Sequence, residues 1–404
     1  MVEEGDVRNV KKTRSHKIRL YPNNVQESHL IRACGIKRFV YNWGLAKRAE
    51  LYGQGEKMSC YGMKKLFNTL KRSEYPFVTE VSKCVADNAL LDLDKAFGNF
   101  FREFKKGNKN AFPTFKKKGV RDSFRLDNDK VRTEGMRIRI PKLGFIKMAE
   151  EVRFAGKVLS VTISRVADRW FASISVEFES CVETQGAASC GIDLGVKHLA
   201  VTSDGVFYPN PNNWKKDLGR LVRLSRSLSR KQKKSSNRKK AQLKLAKCYM
   251  KLTDRRNDCV HKMTTEIART YSTVCMEDLA VGNMLKNRKL ARRIANSLLG
   301  ETRRQLSYKT NVVIIDRFYP STKLCPGCRK LNKLKLSQRI YECECGYGPV
   351  DRDLHAARNI LRAGCPDVKP VETVEDLACG AAVCEAGNVL KNYDGLGGSP
   401  RNFL

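Results

Sequence analysis

The stretch Cys325–Ile360, "CPGCRKLNKLKLSQRIYECECGYGPVDRDLHAARNI", poses the question on which the fold turns. Two cysteine pairs, Cys325/Cys328 and Cys343/Cys345, precede Asp351-Arg352-Asp353 and then a segment with helical spacing of apolar residues. Structural zinc takes four such thiolates at about 2.3 Å. The first arm, C-x2-C, has ordinary ligand spacing. In the second, C-x-C, successive side chains of an extended backbone point to opposite sides, so closure on a metal requires a turn. The pattern admits two readings, a zinc site and a metal-free knuckle held by packing, and the paired spacing favours zinc.

Outside that stretch the cysteines do not pair. The chain carries 15 of them in 404 residues. Cys84, Cys190 and Cys275 lie singly in apolar contexts, as core thiols do. An odd number of cysteines in so long a chain argues against a disulfide framework, and a cytosolic compartment is expected. The first residues, "MVEEGDVRNVKKTRSHK", contain no apolar core of a secretory signal.

Charge narrows the partner class. Lys and Arg number 78 against 42 Asp and Glu, a net +36. Repulsion on this scale is relieved by a polyanion, so nucleic acid leads. No apolar run approaches a membrane span, which argues against a membrane partner. An apolar content of 41% permits packed cores, and the length implies about two to four modules.

Along the chain, "HKIRLYPN" (16–24) alternates as a strand, and 25–51 has helical spacing. A second helix runs through "CVADNALLDLDKAFGNFFREF", with Leu90, Leu93, Phe97, Phe100, Phe101 and Phe104 as a core stripe. After Gly107 come short strand patterns: "AFPTFKKKG", "RIRIPKLGFIKM", "VRFAGKVLSVTISRV" and "WFASISVEFE". They suggest a small β-barrel that takes in the first strand and carries the helices as an insertion. "VETQGAAS" (182–189) has linker composition.

"CGIDLGVKHLAVTSDGVFY" is a hairpin opening a new domain. From Trp214 to Lys262 there are 18 Lys and Arg against Asp217, Asp254 and Asp258, in a helical hairpin turning near 233–237. Its one-sided charge suits phosphate. "YSTVCMEDLAV" is a strand ending at Glu277-Asp278, "RIANSLLGETRRQLSYKT" a helix, and "NVVIIDRFYP" the next strand. The join at Thr310-Asn311 is unusually tight. It fits ordinary loop variation, or an altered docking of the knuckle or path of nucleic acid.

Acids recur where these elements end: Asp193 in "GIDLG", Glu277 in "VCMEDLA", and Asp351 and Asp353 before the last helix. Each alone fits a solvated turn or cap. Together they have the chemistry of a site for hard divalent cations, which take carboxylate oxygens and support phosphodiester cleavage.

The motifs "GIDLGVKHLAVTSDG", "MEDLAVGNM", "STKLCPGC…YECECG" and "DRDLHAARNIL" together resemble TnpB, the transposon-encoded relative of type V CRISPR effectors. "RFVYNWGL", "FPTFKKK" and "LSRKQKKSSNRKKAQLKLAK" match more loosely. The resemblance implies an α+β multidomain protein. A wedge β-barrel occupies 1–24 and 108–184, with a helical recognition lobe over 25–107. An RNase H-like RuvC domain follows over 185–321, then a zinc-finger-like insert for target nucleic acid over 322–348. The third RuvC motif lies at 349–364, and 365–404 is a weakly ordered tail.

The implied function is RNA-guided cleavage of double-stranded DNA beside a short adjacent motif, by two-metal hydrolysis in the prokaryotic cytoplasm. The partners are a guide RNA and the DNA duplex. Alternatives are a guided repressor that does not cut, and a compact CRISPR effector rather than a transposon-borne protein. By motif match Asp193, Glu277 and Asp353 are the catalytic acids and ligands of two Mg2+, with Mn2+ as a substitute in vitro. Cys325, Cys328, Cys343 and Cys345 hold one structural zinc. Asp351 is then the helix N-cap. His355 replaces the family's Asn, either altering contacts behind the ligands or approaching the metal itself.

Overall fold

In the computed structural model residues 10–108, 112–180, 188–210, 214–335 and 337–366 are described. The linker expected at 182–189 and the tail from 365 fall largely outside them. The chain divides into two compact units, one gathering Met1–Val182 with Leu221–Met250, the other Glu183–Arg220 with Lys251–Leu404.

The first unit is built on a seven-stranded antiparallel sheet of order β2-β6-β7-β1-β5-β4-β3. Its strands are β1 (Val10–Tyr21), β2 (Ser123–Asp127), β3 (Arg132–Glu134), β4 (Arg137–Ile140), β5 (Gly144–Met148), β6 (Lys157–Val166) and β7 (Arg169–Ser180). β1 pairs with β7 from Val10↔Ser180 to Leu20↔Trp170, and its last residues reach β5 at Leu20↔Met148. The first strand therefore does belong to the later β-rich segment. The expected barrel is corrected: among the described residues no ladder joins the outer strands β2 and β3, so the sheet is open. β3 has three residues, too few to extend the pairing round a closed barrel.

Helices α1 (Asn24–Gly53), α2 (Cys60–Ser73) and α3 (Lys83–Lys105) fill the insertion between β1 and β2. α1 starts at a full capping box, Asn23 accepting from the Gln26 amide and Gln26 accepting from Asn23. The α3 stripe is core only in part. Leu90, Leu93 and Phe97 are buried, whereas Phe101 and Phe104 are about half exposed. "FPTFKKK" is not a strand. Its backbone is held by Asn42, whose side chain accepts from Lys116 N and donates to Lys116 O.

The second unit carries a five-stranded sheet of order β10-β9-β8-β11-β12. The strands are β8 (Ser189–Asp193), β9 (His198–Thr202), β10 (Phe207–Pro209), β11 (Thr273–Glu277) and β12 (Asn311–Ile315). β8, β11 and β12 are parallel, and β9 and β10 return antiparallel. The basic hairpin is α4 (Trp214–Ser229) and α5 (Ser236–Thr270). Arg238 closes its turn by donating to the carbonyls of Leu228 and Lys231. The far end of α5 packs Val260, Met263 and Ile267 on one face of the sheet.

Short helix α6 (Val281–Met284) follows β11. The helix expected over 293–310 is two, α7 (Ala291–Ser297) and α8 (Leu299–Lys309), broken at Leu298 with φ 50°. Leu298 packs partly buried in the core, so its side chain holds a left-handed backbone that sequence alone would not assign to leucine. The tight join is stitched down: the Thr310 hydroxyl reaches the carbonyls of Tyr271 and Ser272, and Asn311 N donates to Ser272 O. The knuckle contributes β13 (Ile340–Tyr341) and β14 (Val350–Asp351), and α9 (Arg352–Gly364) covers the other face of the sheet.

Candidate active site

β8 ends on Asp193 and β11 on Glu277. The strands are parallel with Met276 opposite Ile192, so the two acids are the next residues on neighbouring strands. Strand alternation fixes the side on which they emerge. Ile192, Val274 and Met276 pack with α5, whereas Cys275 packs with Ile360 and Leu361 of α9. Gly191 abuts α9 so closely that a Cβ there would lie 2.1 Å from the Ala357 carbonyl oxygen. Asp193 and Glu277, two residues beyond Gly191 and Cys275, therefore lie on the α9 face.

The α9 N-terminus supplies the third acid. Asp351 caps it, its Oδ1 accepting from the amides of Asp353 (2.9 Å) and Leu354 (3.3 Å). The Asp353 carboxylate faces Arg352 at 3.3 Å and Arg339 at 3.7 Å. The two aspartates thus differ in what their side chains do: Asp351 gives Oδ1 to two backbone donors, and Asp353 faces two arginines.

Burial pushes the Asp193 carboxyl up to about 7, and the negative charges of Asp353 and then Glu277 push the same way. Arg352 opposes this only in part. Asp351 adds a smaller upward push, so three acids repel a fourth and make a local excess of negative charge, unusual in a chain of net +36. Neighbouring acids of this kind are candidate oxygen donors for hard divalent cations.

Glu277 and its neighbour Asp278 have separate duties. Asp278 pairs with Arg303 at 2.6 Å and with Arg317, which hold it below the usual carboxylate range. Glu277 instead accepts a 2.5 Å hydrogen bond from the Ser321 hydroxyl. Ser321 lies in the motif "STKLCPGC", and nothing in that motif's pattern assigns the serine a role. A serine hydroxyl some forty positions along the chain from a strand-end acid leaves no periodic signal.

In the knuckle the four cysteine Sγ atoms lie within 4.8 Å of one another. Cys325 and Cys345 are 3.5 Å apart, as are Cys328 and Cys343. Tetrahedral zinc at about 2.3 Å from each sulfur requires edges of about 3.8 Å, so the donor set fits zinc. The C-x-C arm closes across a turn, with Gly346 N donating to Cys343 O at 3.0 Å and Gly346 at φ +89°. That geometry brings the side chains of Cys343 and Cys345 to one side, and it resolves the spacing problem.

His355 does not turn toward the acids. It is fully buried and stacks on Tyr341 of the knuckle, with ring centroids 3.7 Å apart and planes at 14°. Burial pushes it down to about 4, so it is neutral at physiological pH.

Three family models match the chain: a probable transposase over residues 173–288, a helix-turn-helix domain over 12–57, and a Cas12f1-like TNB domain over 300–360. The first spans Asp193 and Glu277, and the third spans the cysteines and Asp353. A Streptomyces pristinaespiralis protein named "Putative RNA-guided DNA endonuclease" is 37% identical over 87% of this chain and 89% of its own. The chain belongs to the TnpB family. A second relative of this TnpB chain, InsQ of Escherichia coli K12, bears the same descriptive name and is 33% identical over 95% of this chain and 97% of its own. A solved Cas12f1–sgRNA–target DNA complex aligns with 87% of the TnpB chain and 98% of that one, at 13% identity and TM-score 0.49. Among the described residues no helix is long and apolar enough to cross a membrane.

Proposed function

We propose that this chain is an RNA-guided DNA endonuclease, directed by a bound guide RNA to duplex DNA beside a short adjacent motif. The observation that carries the reading is that Asp193 and Glu277 end neighbouring parallel strands on the face that α9 covers, with Asp353 of α9 near enough for its charge to raise Asp193. In this reading the second unit is the RuvC-type nuclease, the seven-stranded sheet is the wedge, and α1–α3 form the recognition lobe. The names carried by its close relatives support the activity.

The three acids would hold two Mg2+, or Mn2+ in their place. When bound, such ions activate the attacking water and stabilise the charge that develops on the leaving oxygen. The chain's own residues prepare that site. Ser321 fixes one Glu277 oxygen. Asp351 anchors the first turn of α9 and so the backbone of Asp353. Asp193, raised to about 7 in the metal-free site, would give up its proton on binding a cation. Cys325, Cys328, Cys343 and Cys345 would hold a zinc that shapes the knuckle and takes no part in cleavage.

The net charge of +36 accommodates an RNA scaffold, and base pairing rather than protein contacts supplies sequence. The test is isolation of the full chain under nuclease-free conditions, followed by sequencing of bound nucleic acid. One discrete RNA species is expected. A preparation carrying no RNA, or only random fragments, would refute guidance.

A further inference from the structure

We propose that Ser321 and Asn359 are positioning residues for Glu277, and that through them the metal of the cysteine knuckle tunes how tightly the three acids hold divalent cations. The inference rests on the acids forming a cation site, and its experiment separates the two claims.

The contacts run without a gap inside one unit. Ser321 is buried, and its hydroxyl donates to Glu277 Oε1 at 2.5 Å. That bond selects one rotamer of a long side chain and leaves the second oxygen for a cation. Ser321 is itself held by Asn359 of α9, whose amide nitrogen lies 2.7 Å from Ser321 O and 2.8 Å from Leu324 O. Those two carbonyls take both amide hydrogens. Asn359 is buried, so no water replaces it.

Leu324 directly precedes the first cysteine, and its backbone bridges to Leu331 across the first arm. His355, one helical turn before Asn359, is hydrogen-bonded to the Leu324 backbone and stacks on Tyr341. Tyr341 lies two residues before Cys343 and accepts a hydrogen bond from Asn332 inside the knuckle. The place of Ser321 is therefore set from both arms, through Leu324 and Tyr341. Loss of the metal that ties the arms together would release both supports. Groups that orient a metal ligand from behind typically change cation affinity about 10- to 100-fold when removed.

The experiment titrates Mn2+ into the full chain, stripped of RNA in high salt and followed by electron paramagnetic resonance of free Mn2+. Zinc content and melting temperature are measured in parallel. Asp193→Ala is the control and should abolish tight Mn2+ binding; if it leaves binding unchanged, the acids are not the cation site and the parent reading fails. Given that control, Ser321→Ala should weaken Mn2+ about tenfold with zinc and melting temperature unchanged, and Ser321→Thr should restore it to within about twofold. Cys345→Ser should lose zinc and weaken Mn2+ in the same direction. The double variant should be no weaker than the weaker single one, because both act on one contact path. Unchanged affinity in Ser321→Ala, no rescue by threonine, or losses that multiply in the double variant would overturn the proposal.

Discussion

Met276 sits directly opposite Ile192 in a parallel ladder, and this pairing sets Asp193 and Glu277 side by side where their strands end. A shift of one residue would turn Glu277 to the α5 face and bury a carboxylate in an apolar cluster. The register is therefore a condition of the site.

The two aspartates of α9 should separate by function. Asp353→Ala removes a proposed ligand, and cleavage should fall below detection while guided DNA binding persists. Asp351→Ala removes a cap worth about 1 kcal/mol and should slow cleavage without stopping it. Single-turnover cleavage beside a filter-binding assay measures both. The reverse ranking would exchange their roles.

The raised Asp193 carboxyl gives a signed pH dependence. An acid raised in the folded state adds stability that is complete below its unfolded value of about 4 and is lost as pH climbs through about 7. Metal-free protein should lose this contribution over that window. Because a cation competes with the proton, Mg2+ should raise the melting temperature more at pH 8 than at pH 6. Asp193→Asn should remove the difference, and equal Mg2+ effects at both pH values in the unaltered chain would contradict the assignment.

Gly191 is where β8 and α9 come closest. A Cβ would meet the Ala357 carbonyl oxygen at 2.1 Å and the Leu361 amide nitrogen at 2.6 Å, both backbone atoms with little room to move. Gly191→Ala should cost about 1–3 kcal/mol or more in chemical denaturation and weaken cleavage by displacing Asp353. A denaturation midpoint equal to that of the unaltered chain would mean that α9 is not seated there.

Arg223 and Arg226 on α4 and Arg230 just past its end recur at helical spacing and are exposed. If they neutralise phosphates, changing all three to glutamine should reduce the slope of log K for nucleic-acid binding against log salt by about 2 to 3. An unaltered slope would place the duplex elsewhere.

The sequence showed elements with long periodic patterns and hid what depends on packing between distant residues. β1, α1, α3 and the hairpin α4–α5 follow from period and capping, and Asp351 is recognisable as a cap by its place before a helix. The four cysteines announce themselves by spacing, although only the turn at Cys343–Gly346 shows how the short arm closes. "FPTFKKK" has strand-like alternation but gives its backbone bonds to Asn42 in α1. Leu298 itself takes the left-handed break between α7 and α8, although the nearest glycine is Gly300, two residues on. The His355–Tyr341 stack and the Ser321–Glu277 bond join residues whose proximity no local pattern encodes.

The most direct test of the three-acid site is cleavage of a duplex that matches the copurified RNA, by the RNA-loaded chain in Mg2+, set beside the same chain in excess EDTA and beside Asp193→Ala. The account expects both strands to be cut by the unaltered chain in Mg2+, and neither strand in EDTA or by Asp193→Ala. Cutting that persists in EDTA, or in Asp193→Ala, would contradict it.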